Sequence, residues 1–360
     1  MKILLAGGGT LGPVMPLLAA AEAWHYLDSE TACVWAGTPD GPERELVEGL
    51  GMRFYPVSVA RLARYPSWEW ARLLGRFMRS LMEAWQILKA EQPSLIASAG
   101  GYTAVPLVIA GRLRGIPSWI HQQDAVPSLT NRLLAPFAPW ITVAWEETLT
   151  AFPGKKTSLV GNPVRASLVQ FSKKEALARF SLNEDLPTLL VLGGGGGSRW
   201  INQQVHTLRP WLVEHANVIH LTGRGKMEGE SVGYSGTGTY LTAELLTETM
   251  PYAWAAADLV VSRAGMGTLS ELAAQAKPSI LIPLPHSPQE RNAALFEEAG
   301  AAAILSQAEM DVGTLKKTID ALLADPARRN DMGQAAAHCL KTEPPMEFLE
   351  RLLRETEPKG

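Results

Sequence analysis

The stretch Ser262-Arg-Ala-Gly-Met-Gly-Thr-Leu-Ser-Glu271, followed by Pro283-Leu-Pro-His-Ser-Pro-Gln-Glu-Arg-Asn292, carries residue types suited to gripping a phosphorylated sugar. Upstream, Ala257-Asp-Leu-Val-Val261 reads as a buried parallel strand. Gly265 and Gly267 then open a helix that Thr268 or Ser270 is placed to cap. A helix start at a strand's carboxyl end offers free amides and a positive dipole end to an anion. Glu271, expected in the first helical turn, can accept hydrogen bonds from vicinal sugar hydroxyls. Strand, glycine turn, acidic turn and Gln/Asn loop together predict a nucleotide-sugar pocket. The Gly-Thr-Leu-Ser-Glu piece alone is equally an ordinary βα turn.

Other segments add chemistry. Gly7-Gly-Gly-Thr-Leu-Gly12 has the G-x-G-x-x-G spacing that lets a ligand approach the backbone. The next strand, Cys33–Ala36, ends in Gly37 instead of the acidic residue of a dinucleotide fold, which weakens an NAD-binding reading. Gly193–Gly197, before Ser198-Arg199, predicts a phosphate-cradling nest. Glycines between a buried strand and a helix cost conformational entropy that packing alone rarely offsets. His121-Gln-Gln-Asp124, leading into Leu129-Thr-Asn131, puts a candidate base and a charged orienter at a strand's carboxyl end. The alternative there is a solvated loop with a structural histidine. Arg165, after Gly161-Asn-Pro, suits a phosphate or a hinge ion pair. Trp70, Leu73, Leu74, Phe77, Met78, Leu81 and Trp85 recur at helical spacing, interleaved with Arg72, Arg76 and Arg79. By themselves they favour a core-facing stripe over a helix lying on an anionic bilayer.

These residues need a scaffold, and the chain supplies two. Its 360 residues exceed one core and suggest about two domains. A net charge of -3 argues against nucleic acid. Cys33 and Cys339 alone indicate neither a disulfide framework nor a cysteine metal site, and no metal or cofactor is expected. The opening Met-Lys-Ile-Leu-Leu-Ala-Gly reads as a strand, and no run is long enough to span a bilayer. Strand-like runs alternate with helical stretches, which predicts parallel α/β architecture. Expected strands are Lys2–Ala6, Cys33–Ala36, Leu95–Ser98, Ser118–His121, Trp140–Val143 and Thr157–Val160, then Thr188–Leu192, Val218–Leu221, Gly238–Leu241, Leu259–Val261 and Ser279–Ile282. Asn162, before a proline, is biased to extended geometry and marks the boundary. The expected domains are 1–164, 165–343 and a last helix in 344–360 that packs back on the first.

Taken in order, these blocks resemble the MurG family, peripheral bacterial glycosyltransferases of the GT-B fold, with two Rossmann-like domains facing a cleft. The resemblance covers Gly7–Gly12, Ser98-Ala-Gly-Gly-Tyr102, His121–Asp124 with Leu129-Thr-Asn131, Gly161–Arg165, Gly193–Arg199, Ser262–Glu271 and His286–Ala293. It implies an inverting hexosyltransferase at the cytoplasmic face of the membrane, acting in peptidoglycan synthesis. That enzyme moves N-acetylglucosamine from UDP-GlcNAc to the lipid-linked muramoyl-pentapeptide, lipid I. It implies donor contacts from Arg165, Gly195, Thr247, Met266, Gly267, Thr268, Leu269, Ser270, Glu271 and Gln289. Thr10, Leu11, Gly12 and Asp124 face substrate, and the helix around 68–85 docks on an anionic membrane surface. Two departures stand out. The family's Gly-Gly-Thr-Gly-Gly-His reads Gly8-Gly-Thr-Leu-Gly-Pro13 here, removing a histidine, and its His-Glu-Gln-Asn reads His121-Gln-Gln-Asp124. Asp124 or His121 is then the expected base. A paralogous transferase with another acceptor, or a silent UDP-sugar-binding relative, are the alternatives.

Overall fold

The computed structural model describes residues 1–59, 69–152, 154, 157–226 and 236–356, without the side chains of 69–74 and 169. The chain divides into two units, Met1–Arg165 with Glu343–Gly360 (unit 1) and Ala166–Thr342 (unit 2).

Unit 1 runs β1 (Lys2–Ala6), α1 (Met15–Leu27), β2 (Ala32–Gly37), α2 (Glu43–Gly49), β3 (Arg53–Pro56), α3 (Glu69–Glu91), β4 (Leu95–Ser98), α4 (Ala104–Leu113), β5 (Ser118–Gln122), α5 (Leu129–Leu134), β6 (Trp140–Val143) and β7 (Thr157–Leu159). Unit 2 continues with α6 (Lys173–Phe180), β8 (Thr188–Leu192), α7 (Arg199–His215), β9 (Asn217–Leu221), β10 (Tyr240–Ala243), α8 (Met250–Ala256), β11 (Leu259–Ser262), α9 (Met266–Ala274), β12 (Ser279–Leu281), α10 (Gln289–Glu298), β13 (Ala302–Ile304), α11 (Val312–Leu323) and α12 (Pro326–Cys339). The last helix, α13 (Met346–Thr356), belongs to unit 1.

Both sheets are parallel, ordered β3-β2-β1-β4-β5-β6-β7 and β10-β9-β8-β11-β12-β13. Ile3 to Ala6 and Leu189 to Val191 are wholly buried, as strands covered by helices on both faces must be. Strand order reverses between β1 and β4, and again between β8 and β11, so ligand crevices belong at those carboxyl ends. One face of the first sheet packs on α3 and α4 and the other on α1 and α13. On the second face, Phe348, Leu349, Leu352 and Leu353 of α13 are buried, and the Trp24 indole donates to Leu349 O at 3.2 Å. Trp119 stands 5.7 Å from Trp24 and 5.6 Å from Phe348, ring centre to ring centre.

Several expectations are corrected. The strand expected over Gly238–Leu241 is Tyr240–Ala243, because a Cβ on Gly238 would lie 2.2 Å from Ala216 O and the chain passes there without room for a side chain. The sequence reading missed β3, a short edge ending in Pro56, and β13, whose Ala-Ala-Ile is helix-like in composition. Neither Thr268 nor Ser270 caps α9. Gly265 is its N-cap without a side-chain bond, and the Ser270 hydroxyl donates to Met266 O. Glu271 therefore sits in the second turn. The apolar stripe of α3 also divides. Ala84, Ile87 and Leu88 face the core while Met78, Met82 and Trp85 are exposed. Residues 60–68, with Trp68, and the side chains of Trp70, Arg72, Leu73 and Leu74 lie outside the described residues.

Candidate active site

In unit 1, both glycine-bearing turns flanking the switch point come together. A Cβ on Gly101 would stand 3.1 Å from Gly8 O, so glycine permits this close pass at positive φ. The first loop is not an empty nest. The buried Glu43 carboxylate at the start of α2 accepts the Gly9 amide (3.3 Å), the Thr38 amide (2.7 Å) and the Thr38 hydroxyl (2.5 Å). Thr10 is exposed and Leu11 and Gly12 half-buried, and Leu11 O accepts the Val14 and Met15 amides as α1 begins.

His121 is not placed as a base. It is fully buried on β5, with Nε2 2.9 Å from Asn162 Oδ1 and Nδ1 2.9 Å from Thr142 Oγ1. The Asn162 oxygen only accepts, so Nε2 carries the proton and the Thr142 hydroxyl donates to Nδ1, while Thr142 accepts the Trp119 indole N–H at 2.8 Å. Burial lowers the imidazole pKa to about 4. The histidine therefore ties the Asn-Pro turn before Arg165 to the sheet.

Gln122 is equally committed. Its Nε2 donates to Asp124 O (2.7 Å) and Val126 O (3.2 Å), and its Oε1 accepts from the Ser128 amide (3.2 Å) and Asn131 Nδ2 (2.8 Å). A glutamate lacks the two donated bonds. Gln122 thus braces the loop through the backbone of Asp124. Asp124 itself is half-exposed at the end of β5. Ser128 caps α5 by accepting the Asn131 amide. Arg165 is half-buried, and its Nε has no hydrogen-bond partner among the described residues.

In unit 2, the Gly193–Gly197 loop leaves β8 at its switch point. A Cβ on Gly197 would lie 2.2 Å from Thr222 O, so the residue is required sterically at its φ of +67°. Gly195 and Gly196 are exposed. Lys226 Nζ donates to Gly196 O (2.6 Å) and Gly197 O (2.9 Å), and Ser198 caps α7. Arg263, to which the sequence reading gave no role, binds this loop to its neighbours. It donates to Ser198 Oγ (3.0 Å), Gln307 Oε1 (2.7 Å), Ile282 O (2.9 Å) and Pro283 O (3.1 Å). Burial lowers its guanidinium pKa. Its signal was its place in the Ser262–Glu271 block, immediately after a buried strand.

Along that block Met266, Thr268, Leu269 and Ser270 are buried, and Gly267 and Glu271 half-buried. The Gln289 amide nitrogen lies 3.8 Å from the Cβ position of Gly265, over the start of α9, while its Oε1 accepts the Leu284 amide (3.0 Å). Asn292, wholly buried, donates to Ala264 O at 3.3 Å and fixes α10 against the same turn. Thr247 is exposed after β10. Among the described residues, no cluster of three or more His, Cys, Asp or Glu could hold a metal ion.

Residues 3–142 match the glycosyltransferase family 28 N-terminal domain and 188–347 its C-terminal domain. A UDP-N-acetylglucosamine--N-acetylmuramyl-(pentapeptide) pyrophosphoryl-undecaprenol N-acetylglucosamine transferase of Geobacter sulfurreducens is 33% identical, covering 99% of each chain. A protein of the same name from Desulforamulus reducens is 35% identical over 93% of this chain and 94% of its own. The crystal structure of Acinetobacter baumannii MurG superposes with a TM-score of 0.70 at 22% identity, over 98% of this chain and 99% of that one. A UDP-GlcNAc 2-epimerase of Neisseria meningitidis bound to UDP-GlcNAc shares the fold, at TM-score 0.68 and 14% identity over the whole of both chains. Two parallel-sheet units, both family 28 domains and a third of residues shared end to end place this chain in the MurG family of GT-B glycosyltransferases.

Proposed function

We propose that this protein is a hexosyltransferase converting lipid I to lipid II in peptidoglycan synthesis, moving N-acetylglucosamine from UDP-GlcNAc with inversion and without a metal ion. One observation carries the reading: the end-to-end identity with relatives bearing that activity in their names. Unit 2 takes the donor. The exposed turn at Gly195 and Gly196 and the start of α9 face the diphosphate, and Arg165 is the cation assigned to it. Glu271 and Gln289 hold the sugar hydroxyls, Met266 to Ser270 pack beside the donor, and Thr247 lies by the uracil.

Unit 1 takes the acceptor at Thr10, Leu11 and Gly12. As the acceptor oxygen bonds to the anomeric carbon, the bond from that carbon to the β-phosphate oxygen breaks. UDP leaves with the electron pair. Asp124 accepts the hydroxyl proton, a role worth about 10²–10⁴-fold in rate. It suits the role better than His121, whose two ring nitrogens are both engaged.

A membrane surface completes the acceptor side. Met78, Met82 and Trp85 of α3, Leu113 of α4, and Leu129, Leu133 and Phe137 of and after α5 are exposed. Arg112 and Arg132 lie on the same helices, and the Arg114 guanidinium sits 4.9 Å from the Trp85 ring centre. Exposed apolar side chains ringed by arginine suit an anionic cytoplasmic leaflet, and no helix among the described residues is long and apolar enough to cross it. The test is transfer of labelled N-acetylglucosamine from UDP-GlcNAc to a lipid I analogue. Labelled lipid supports the assignment. UDP-GlcNAc binding without labelled lipid favours the reading in which Leu11 and Pro13 admit a different acceptor.

A further inference from the structure

Resting on the reading above in which unit 2 takes a UDP-sugar, we propose that Lys226 is a positioning residue for the donor diphosphate. Its ammonium clips the glycine turn at 194–197 into the shape that receives the phosphates, acting through the carbonyls of Gly196 and Gly197.

The turn needs such a clip. Four consecutive glycines bring no side chain to fix it, and glycine loses more backbone freedom on ordering than any other residue. The Gly197 amide donates to Gly194 O at 2.9 Å, which closes a four-residue turn with Gly195 and Gly196 exposed at its centre. That bond leaves the carbonyls of Gly196 and Gly197 to be placed. Lys226 Nζ donates to both, at 2.6 Å and 2.9 Å. Without it, the two peptide planes can turn, and a carbonyl oxygen swung toward a bound phosphate repels it. With it, both oxygens are committed to a cation and the turn is already ordered before the donor arrives.

Lys226 is itself held by backbone. Its amide donates to Gly223 O at 3.1 Å, making 223–226 a second turn. Asn202 Nδ2, on α7, brackets that turn by donating to Thr222 O (3.0 Å) and Lys226 O (3.3 Å). The two turns meet backbone to backbone. A Cβ on Gly223 would lie 2.5 Å from Gly197 Cα, and both glycines stand at positive φ. On the other side, the Gly223 amide donates to Glu244 O at 3.0 Å and the Gly225 amide to Glu244 Oε1 at 2.9 Å. Thr247, assigned above to the uracil, follows three residues later. The lysine turn therefore joins the phosphate side of the donor pocket to its base side. Arg199 and Arg224 are exposed nearby in sequence, as is Glu248, and Glu244 is half-buried. A clip that works through carbonyl oxygens does not depend on the balance of those charges.

The test is calorimetric binding of UDP and of uridine to wild type, Lys226→Met and Lys226→Arg. Hydrogen–deuterium exchange over 193–198 is followed in the unliganded proteins, with the bonded Gly197 amide as reporter. Lys226→Met keeps the apolar stem and removes the ammonium. It is expected to weaken UDP about tenfold, to leave uridine unchanged and to speed exchange over 193–198. Lys226→Arg, which can still donate to two carbonyls, is expected to recover most of both losses. Unchanged UDP affinity in Lys226→Met, with wild type binding UDP, overturns the proposal. So does an equal loss for uridine, which would make the lysine a support of the whole unit. UDP loss with unchanged exchange also overturns it, since the lysine would then touch the phosphate directly. Wild-type protein that binds no UDP removes the donor reading and the proposal with it.

Discussion

Replacing Gln122 by glutamate restores the residue usual in the family, and the structure predicts that the change does harm. Gln122 is 1% exposed and its amide nitrogen donates to two carbonyls, Asp124 O and Val126 O. In Gln122→Glu the two acceptor contacts at the other oxygen persist. The two donated bonds are lost, and an oxygen faces two carbonyl oxygens instead. Each lost bond is worth about 1 kcal/mol, and burying a charge against carbonyls adds to that, giving about 2–4 kcal/mol at pH 8. The introduced carboxyl has its folded-state pKa raised by burial, while in the unfolded chain it titrates near the ordinary glutamate value of about 4.3. Its protonated form can donate one bond. The loss is therefore smallest below about pH 4.3 and grows as pH rises through the raised folded value. Urea unfolding of variant and wild type at several pH values from 5 to 8 measures this directly. A variant as stable as wild type at pH 8, or with equal loss at every pH, would refute the assignment of Gln122 as a loop brace.

Other expectations concern the donor site, the buried histidines and the membrane. Arg263→Lys loses the fork that spans Ser198, Gln307 and two carbonyls, so the Kd for UDP rises about tenfold while CD-monitored folding is kept. His121 and His220 both have pKa values lowered to about 4 by burial. A folded value below the unfolded 6.5 gives stability that is complete above pH 6.5 and is lost as pH falls toward 4. Thermal unfolding across that window should show the decline, and His121→Gln should flatten part of it. Trp85→Glu should cut sedimentation with phosphatidylglycerol vesicles about fivefold or more, with transfer to a detergent-dispersed acceptor nearly unchanged.

Much of the architecture was legible because parallel strands buried on both faces read as unbroken apolar runs, as Lys2–Ala6 and Thr188–Leu192 do. Turn glycines could be read for the same reason, since their spacing announces where backbone must approach backbone. Short peripheral strands could not: β13 is Ala-Ala-Ile and takes its state only from pairing with β12. The site was legible as blocks and not as contacts. Glu43 lies 34 residues from Gly9, and Asn162 lies 41 from His121, so neither partnership leaves a local pattern. Trp24, Trp35, Trp119, Trp145 and Trp254 are core residues, and of the described ones only Trp85 is exposed.

The assignment of α13 to unit 1 reverses the usual order of folding during synthesis. Domains ordinarily complete in the order in which they leave the ribosome. Here residues 166–342 can close their own sheet while unit 1 still lacks the helix that covers Trp24 and Trp119. Until 346–356 emerge, an aromatic face of the first-made unit stays open to water and to chaperones. A stop codon or a bulky fusion near residue 345 should therefore injure the part of the protein made earliest.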